Sequence, residues 1–301
     1  SNDRPAEFQG RLSKGKDWRE IVAWVGDLPP MPQVASKAIA MVEDPDTTGQ
    51  ELNDLLSQDG ALAARVLKIA NSAMFSRQRE IATLGQAVMV IGFKALKGII
   101  VAATLRQMNR TLSRLDKVVW EHSIGTAICA TLLARKLKKS YVDEIFLLGL
   151  LHSVGQIVLS SQADTGAEYK KSLKIIESQG VDYCAVEEEL FGFSHPLIGA
   201  LVAKKWNFSA DTCQVILHYR DELDSDSAQS ELDEKIGLVK LADCLAHIAA
   251  IGSPIGYPDQ HPEACRTLQY LGIPLSEHQD FITSMTESLK EQVQQEGSIY
   301  S

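Results

Sequence analysis

Five side chains carry the types needed for joint chemistry: His122, His152, His195, His218 and Asp243. Imidazoles and carboxylates hold divalent transition metals and move protons. Their spacing is long, no two of these histidines share a helix at ligand spacing, and no HExxH occurs. The phosphate loops GxGxxG and GxxxxGK[ST] and the nucleophile elbow GxSxG do not occur either. That removes the commonest nucleotide-binding and serine-hydrolase signatures. What remains is a dispersed set on separate helices or helix ends, which a helical bundle can gather on its axis. Singly, a histidine inside an apolar helix is more often a satisfied core residue than a ligand. Asp243 differs, because Leu241, Ala242 and Leu245 around it predict a partly buried carboxylate. Such a group needs a cation or a histidine. His247 is four residues on and can face it on one helix. A simple hydrogen-bonded pair explains that spacing as well as a ligand set does.

The elements that must position these groups are helical. Apolar residues recur at three-to-four spacing along most of the chain, and no run alternates as a strand. Trp18, Ile21, Val22 and Val25 mark a first helix, broken by Leu28-Pro29-Pro30-Met31-Pro32. Thr48 and Glu51 fit a capping box, and Asp59 is an N-cap for a helix closed by Asn71-Ser72. Asn71 is expected to adopt the left-handed conformation and cap free carbonyls. Gly92 divides two further helices, and residues 115–137 read as one long helix. Ser140 and Asp143 fit a capping box for a helix to about residue 159, and another fits residues 165–178. In Phe193-Ser194-His195-Pro196, Ser194 reads as an N-cap. The helix dipole there should favour neutral His195.

The expected plan is a polar arm at 1–14, a helical subdomain at 15–109, a second at 110–294 and a loose polar tail at 295–301. The joint near Arg110 to Ser113 has no flexible linker composition, so the halves should share an interface. The chain has 301 residues, 45% of them hydrophobic, enough for a core without staples and too apolar for disorder. The net charge of −9 gives nucleic-acid binding no support. The apolar runs carry polar or glycine interruptions, and the opening SNDRPAEFQG has no apolar signal core. A cytoplasmic location with no membrane partner is the expectation. Cys129, Cys184, Cys213, Cys244 and Cys265 are scattered with no CxxC, which fits core packing in a reducing compartment.

The order of the histidines and Asp243 resembles the HD superfamily of metal-dependent phosphohydrolases. The N-terminal half narrows this. Leu28-Pro29-Pro30-Met31-Pro32, Leu56-Ser57-Gln58-Asp59-Gly60-Ala61-Leu62, Leu67-Lys68-Ile69-Ala70-Asn71-Ser72-Ala73, and Gln86-Ala87-Val88 with Ile91-Gly92 resemble the HDOD family of bacterial HD-related output domains. The likeness runs from about residue 20 to about 250. It implies an all-α fold of two helical subdomains, the C-terminal one related to the HD phosphohydrolase core. It also implies bacterial signal transduction beside sensor, response-regulator or cyclic-di-GMP-related proteins. HDOD domains have generally been assigned no activity.

By this resemblance His122 matches the first histidine of the HD core. His152 matches the histidine of the His-Asp doublet, within Gly149-Leu150-Leu151-His152, but Ser153 stands where the doublet has Asp. His195 and His218 resemble the later histidines and Asp243 the closing aspartate. These five are vestigial metal-ligand candidates. Losing the doublet carboxylate removes one negative charge, on which hard cations depend. No cofactor is therefore the first expectation, and one divalent transition metal (Fe, Mn or Zn) the second. Ser153 is no nucleophile, since neighbouring helical side chains point about 100° apart and His152 cannot activate it. The implied function is a non-catalytic signalling module acting through protein partners. The alternative is a metal-dependent phosphohydrolase acting on a nucleotide or cyclic dinucleotide. The partner, the substrate and the oligomeric state stay open.

Overall fold

The computed structural model describes residues 17–76, 79–109 and 113–301. The expected arm at 1–14 and most of the expected joint at 110–113 lie outside them. Among the described residues the secondary structure is entirely helical. The first half holds α1 (Trp18–Asp27), α2 (Gln33–Glu43), α3 (Gly49–Leu56), α4 (Gly60–Ala70), α5 (Leu84–Ile91) and α6 (Phe93–Met108). Local chemistry sets their ends. Asp17 accepts from Arg19 N–H, the Thr48–Glu51 box forms, and Asp59 accepts from Leu62 N–H. Asn71 departs from expectation, since its backbone stays right-handed (φ −83°). It works through its side chain instead. Nδ2 donates to Leu67 O (3.0 Å) and Ile81 O (2.8 Å), and Oδ1 accepts from Ile81 N–H (2.6 Å). The loop after α4 is thereby pinned to the helix end.

The second half is built around α7 (Arg114–Lys136), opened by a Ser113–Asp116 capping box and buried along most of its length. Against it lie α8 (Val142–Leu151), α9 (Val154–Ser161) and α15 (Glu231–Ile248). Between them in the chain come α10 (Gly166–Tyr169), α11 (Ser172–Gln179), α12 (Tyr183–Phe191), α13 (His195–Lys205) and α14 (Ala210–His218). Helices α16 (His261–Tyr270) and α17 (His278–Glu296) follow. The helix expected at 165–178 is thus two, α10 and α11. The expected Ser140–Asp143 box does not form. Helix α8 starts after Tyr141 with no side-chain cap, because the buried Tyr141 ring anchors that turn. The segment Val142–Ser161 has mean hydropathy 1.6, apolar enough to cross a membrane, but 83% of it is buried in the core and Ser153 divides it.

One continuous apolar cluster runs through both halves. Helix α6 packs on α2, α4 and α8, joining them. Helix α1 lies on α13: Trp24 Nε1 donates to Asp164 (2.6 Å), and Lys205 donates to carbonyls at the end of α1, Gly26 O among them (2.8 Å). Two glycines allow contacts that no side chain would. A Cβ on Gly149 would lie 2.9 Å from Ala127 Cα on α7. A Cβ on Gly155 would overlap the His195 carbonyl of α13.

The tail expected to be loose at 295–301 is packed. Gly297–Ile299 forms a 3-10 turn, and Tyr300 is 2% exposed with its ring against Phe146 (6.3 Å). Trp120 Nε1 donates to Tyr300 O (2.9 Å), and Glu296 Oε1 accepts from Met74 N–H (2.6 Å). One aromatic and one buried carboxylate outweigh the polar composition there.

Candidate functional site

Asp243, on the inner face of α15, is the centre of a buried cluster. His122 of α7 places Nε2 2.7 Å from Asp243 Oδ1. His152, at the end of α8, and His247, one turn along α15, bring Nε2 to 3.5 Å and 3.6 Å of the same oxygen. Arg220, just beyond α14, approaches the other oxygen, Oδ2, at 3.5 Å and binds Asp182 at 2.6 Å. The imidazoles are aimed by backbone and rings. His122 Nδ1 faces Ile251 O (3.2 Å), and His152 Nδ1 bonds Gly149 O. His247 is stacked between His122 (4.0 Å) and Tyr257 (3.9 Å), and the Tyr219 ring stands edge-on to His152 (5.0 Å). His122, His152 and Asp243 are at most 3% exposed.

Burial works against a charged Asp243, but the contacts led by the His122 Nε2 hydrogen bond at 2.7 Å outweigh it. The carboxyl is held well below the usual carboxylate range. Burial pushes His152 and His247 downward, toward neutral imidazoles.

The candidate residues separate into three places. His122, His152 and Asp243 converge, with ligand atoms all within 4.8 Å of one another. His195 belongs to an adjoining network. Its backbone N–H and Nδ1 both contact Glu187 (2.7 Å each), Tyr169 OH donates to Glu187, and Nε2 meets Tyr219 OH. Gln156 Nε2 donates to Tyr169 OH (2.9 Å), and Cys184 Sγ lies 4.0 Å from Nδ1. Ser194 is the N-cap residue with Pro196 in the first turn, as expected, but its side chain makes no cap hydrogen bond, and Glu187 takes the orphan N–H instead. The expectation of a neutral His195 is overturned. Burial alone would lower the His195 pKa, but the Glu187 carboxylate raises it to about 10. A full charge at contact distance overrides a helix terminus. His218 stays apart, half-buried, with Nδ1 on Asp221 (2.6 Å). Its neighbour Tyr219 turns inward, as successive helical positions must point about 100° apart.

Ser153 is fully buried, and its hydroxyl bonds Ser123 Oγ and lies 3.4 Å from Leu150 O. It completes the contact of α7 with the α8–α9 turn. Sequence reasoning missed Arg220, Tyr219, Glu187 and Tyr257. Glu187 sits in a run of three glutamates, which reads as a solvated face, and nothing in the spacing singles out Arg220.

Two imidazoles and one carboxylate suit a single borderline ion such as zinc. A hard dication or a metal pair fits poorly. The carboxylate expected at 153 is a hydroxyl turned to Ser123, and the Arg220 guanidinium already stands against Asp243.

Residues 28–222 match the HDOD domain family. The chain belongs to the HDOD family. An HDOD domain protein of unknown function from Geobacter sulfurreducens superposes with a TM-score of 0.68 at 24% identity, covering 91% of this chain and 96% of that one. A Shewanella amazonensis SB2B structure named "Putative phosphohydrolase" gives 0.64 at 23% identity, with 91% and 97% coverage. These likenesses show the fold. An uncharacterized protein of Treponema pallidum (strain Nichols) is 25% identical over 187 residues, 61% of this HDOD chain and 36% of its own length. The HDOD chain thus spans little more than a third of that curated relative.

Proposed function

We propose that this HDOD chain is a non-catalytic signalling module that acts through protein partners of the sensor, response-regulator or cyclic-di-GMP-related kinds. One observation carries the reading. Asp243, the carboxylate a catalytic cation would need, is compensated from within the protein by His122 at 2.7 Å and Arg220 at 3.5 Å. A buried acid with a fixed guanidinium partner gains less from a metal ion and repels it through that guanidinium. The enclosure of His122, His152 and Asp243 also leaves a phosphoester little access to the cluster.

A second reading, a metal-dependent phosphohydrolase, is favoured by the convergence of His122, His152 and Asp243. If an ion is held there, these three residues hold it, and it would supply an activated water. The two readings separate on purified protein by elemental analysis, Mn²⁺ and Zn²⁺ titration, and hydrolysis of bis(p-nitrophenyl) phosphate and cyclic dinucleotides. The module reading expects substoichiometric metal and no hydrolysis above background. Stoichiometric metal, with hydrolysis abolished in Asp243→Asn, overturns it.

A further inference from the structure

On one side the histidine cluster is covered by a single strap of chain, residues 250–257, which follows α15 and has no helix of its own. Three of its groups rest on two imidazoles. Ile251 O faces His122 Nδ1 (3.2 Å), Ser253 Oγ meets His247 Nδ1 (2.8 Å), and the Tyr257 ring stacks on His247 (3.9 Å, planes 11° apart). His122 and His247 are buried, whereas Ile251, Ser253 and Tyr257 are only half-buried. The strap is thus one layer thick over both Nδ1 atoms. His152 is held differently, with Nδ1 bonded to Gly149 O of α8.

The backbone of the strap is built to pivot. Ala250 (φ 57°), Gly252 (φ 54°) and Gly256 (φ 79°) are all left-handed. Ala250 follows the C-cap of α15, where glycine is usual, so its Cβ strains the entry to the strap. Ile255 at the crest is 62% exposed and adds little to the core. A cavity of about 360 Å³ borders Ala250, Ile251 and Gly252 and leaves them room to shift. The closed position is nevertheless a fitted one. A Cβ on Gly252 would lie 2.2 Å from His122 N and 2.5 Å from Val118 O, both main chain of α7.

We infer that residues 250–257 are a hinged lid that gates access to His122 and His247. Closed, it seals both Nδ1 atoms. Open, it presents them to solvent or to a ligand while α7 and α15 keep their places. Short segments with strained entry, glycine pivots and partial exposure belong to the low-stability end of a fold, and they open without global unfolding. The inference rests on the enclosure of the cluster and holds for either reading of its function, because its test measures access rather than metal content or hydrolysis.

Access is read on the full chain from the rate at which diethylpyrocarbonate acylates each histidine, mapped by mass spectrometry. Amide hydrogen exchange is followed alongside. In the wild type, amides of the strap should exchange about a hundredfold faster than those of α7. Gly252→Ala cannot close against the α7 main chain, so His122 and His247 should react about tenfold faster than in wild type, with His152 unchanged. Ala250→Gly suits the left-handed entry and should slow both reactions about threefold. It adds no bulk, so it carries the test if Gly252→Ala misfolds. A parallel rise at His152 in Gly252→Ala means general loosening and overturns the inference. Unchanged His122 and His247 rates in Gly252→Ala, faster reaction in Ala250→Gly, or strap amides that exchange no faster than those of α7 overturn it as well.

Discussion

Replacing Arg220 by Met removes the guanidinium that faces Asp243 and tests the main argument directly. Two unit charges 3.5 Å apart, at an effective dielectric of about 20, attract by about 5 kcal/mol. Desolvation of the arginine and the remaining His122 contact reduce the net loss, and removing one partner of a buried pair costs about 3–5 kcal/mol. The accompanying loss of the Asp182 bridge, which is part-exposed, adds about 1 kcal/mol at most. A destabilisation of about 3 kcal/mol is expected, or about 6 °C in Tm for a chain of this size. Thermal unfolding followed by circular dichroism measures it. A double-mutant cycle with Asp243→Asn isolates the pair, with an expected coupling of about 1.5 kcal/mol or more. Zn²⁺ should then raise the Tm of Arg220→Met more than that of wild type, because the ion no longer meets a fixed cation. Additivity within about 0.5 kcal/mol, or equal Zn²⁺ stabilisation of both proteins, would refute the idea that Arg220 compensates Asp243.

Three further changes probe other parts of the argument. Asn71→Ala removes two hydrogen bonds to Ile81 in the loop and one to Leu67 O in α4, so the denaturation midpoint should fall by an amount equal to about 2 kcal/mol. The His195 pKa is raised to about 10 in the folded protein, so its contribution to stability is fully present below about pH 6.5 and is lost as pH rises toward 10. The stability gap between wild type and His195→Gln should narrow between pH 7 and pH 10, and a pH-independent gap would contradict the Glu187 pairing. Ser153→Asp places a carboxylate where the hydroxyl meets Ser123 in the core, so it should destabilise by about 3 kcal/mol and more at pH 8 than at pH 5. Thermal melts at the two pH values check this.

Periodicity made the helices legible because burial of an apolar stripe is a local pattern, and the caps at Thr48 and Asp59 formed as the residue types require. The same reasoning failed at Ser140–Asp143, where burial of Tyr141 sets the helix start. It also failed at the tail, where one aromatic in a polar stretch suffices to dock the chain. In the site, His122, His152 and Asp243 could be picked out by residue type and order. The groups that decide the behaviour of the site could not: Arg220 reaches Asp243 from the turn beyond α14, and Glu187 meets His195 only because the chain folds back between α12 and α13. His218 misled for the complementary reason: its type matched, but the helix turns it toward Asp221.

The glycine contacts between helices bear on how such a molecule could transmit anything. At Gly149 and Gly155 the backbones of α8 and α9 rest on α7 and α13 with no side chain between them. A helix that slid or rotated at either point would drive its neighbouring Cβ atoms into main chain. Shear, the usual small motion of packed helices, is therefore closed to the central layer. That layer moves as one block, gripping Asp243, its imidazoles and the His195 network in fixed register. A change of state in this protein must therefore come from outside that layer, from elements such as α1 and the C-terminal turn that pack against it through side chains.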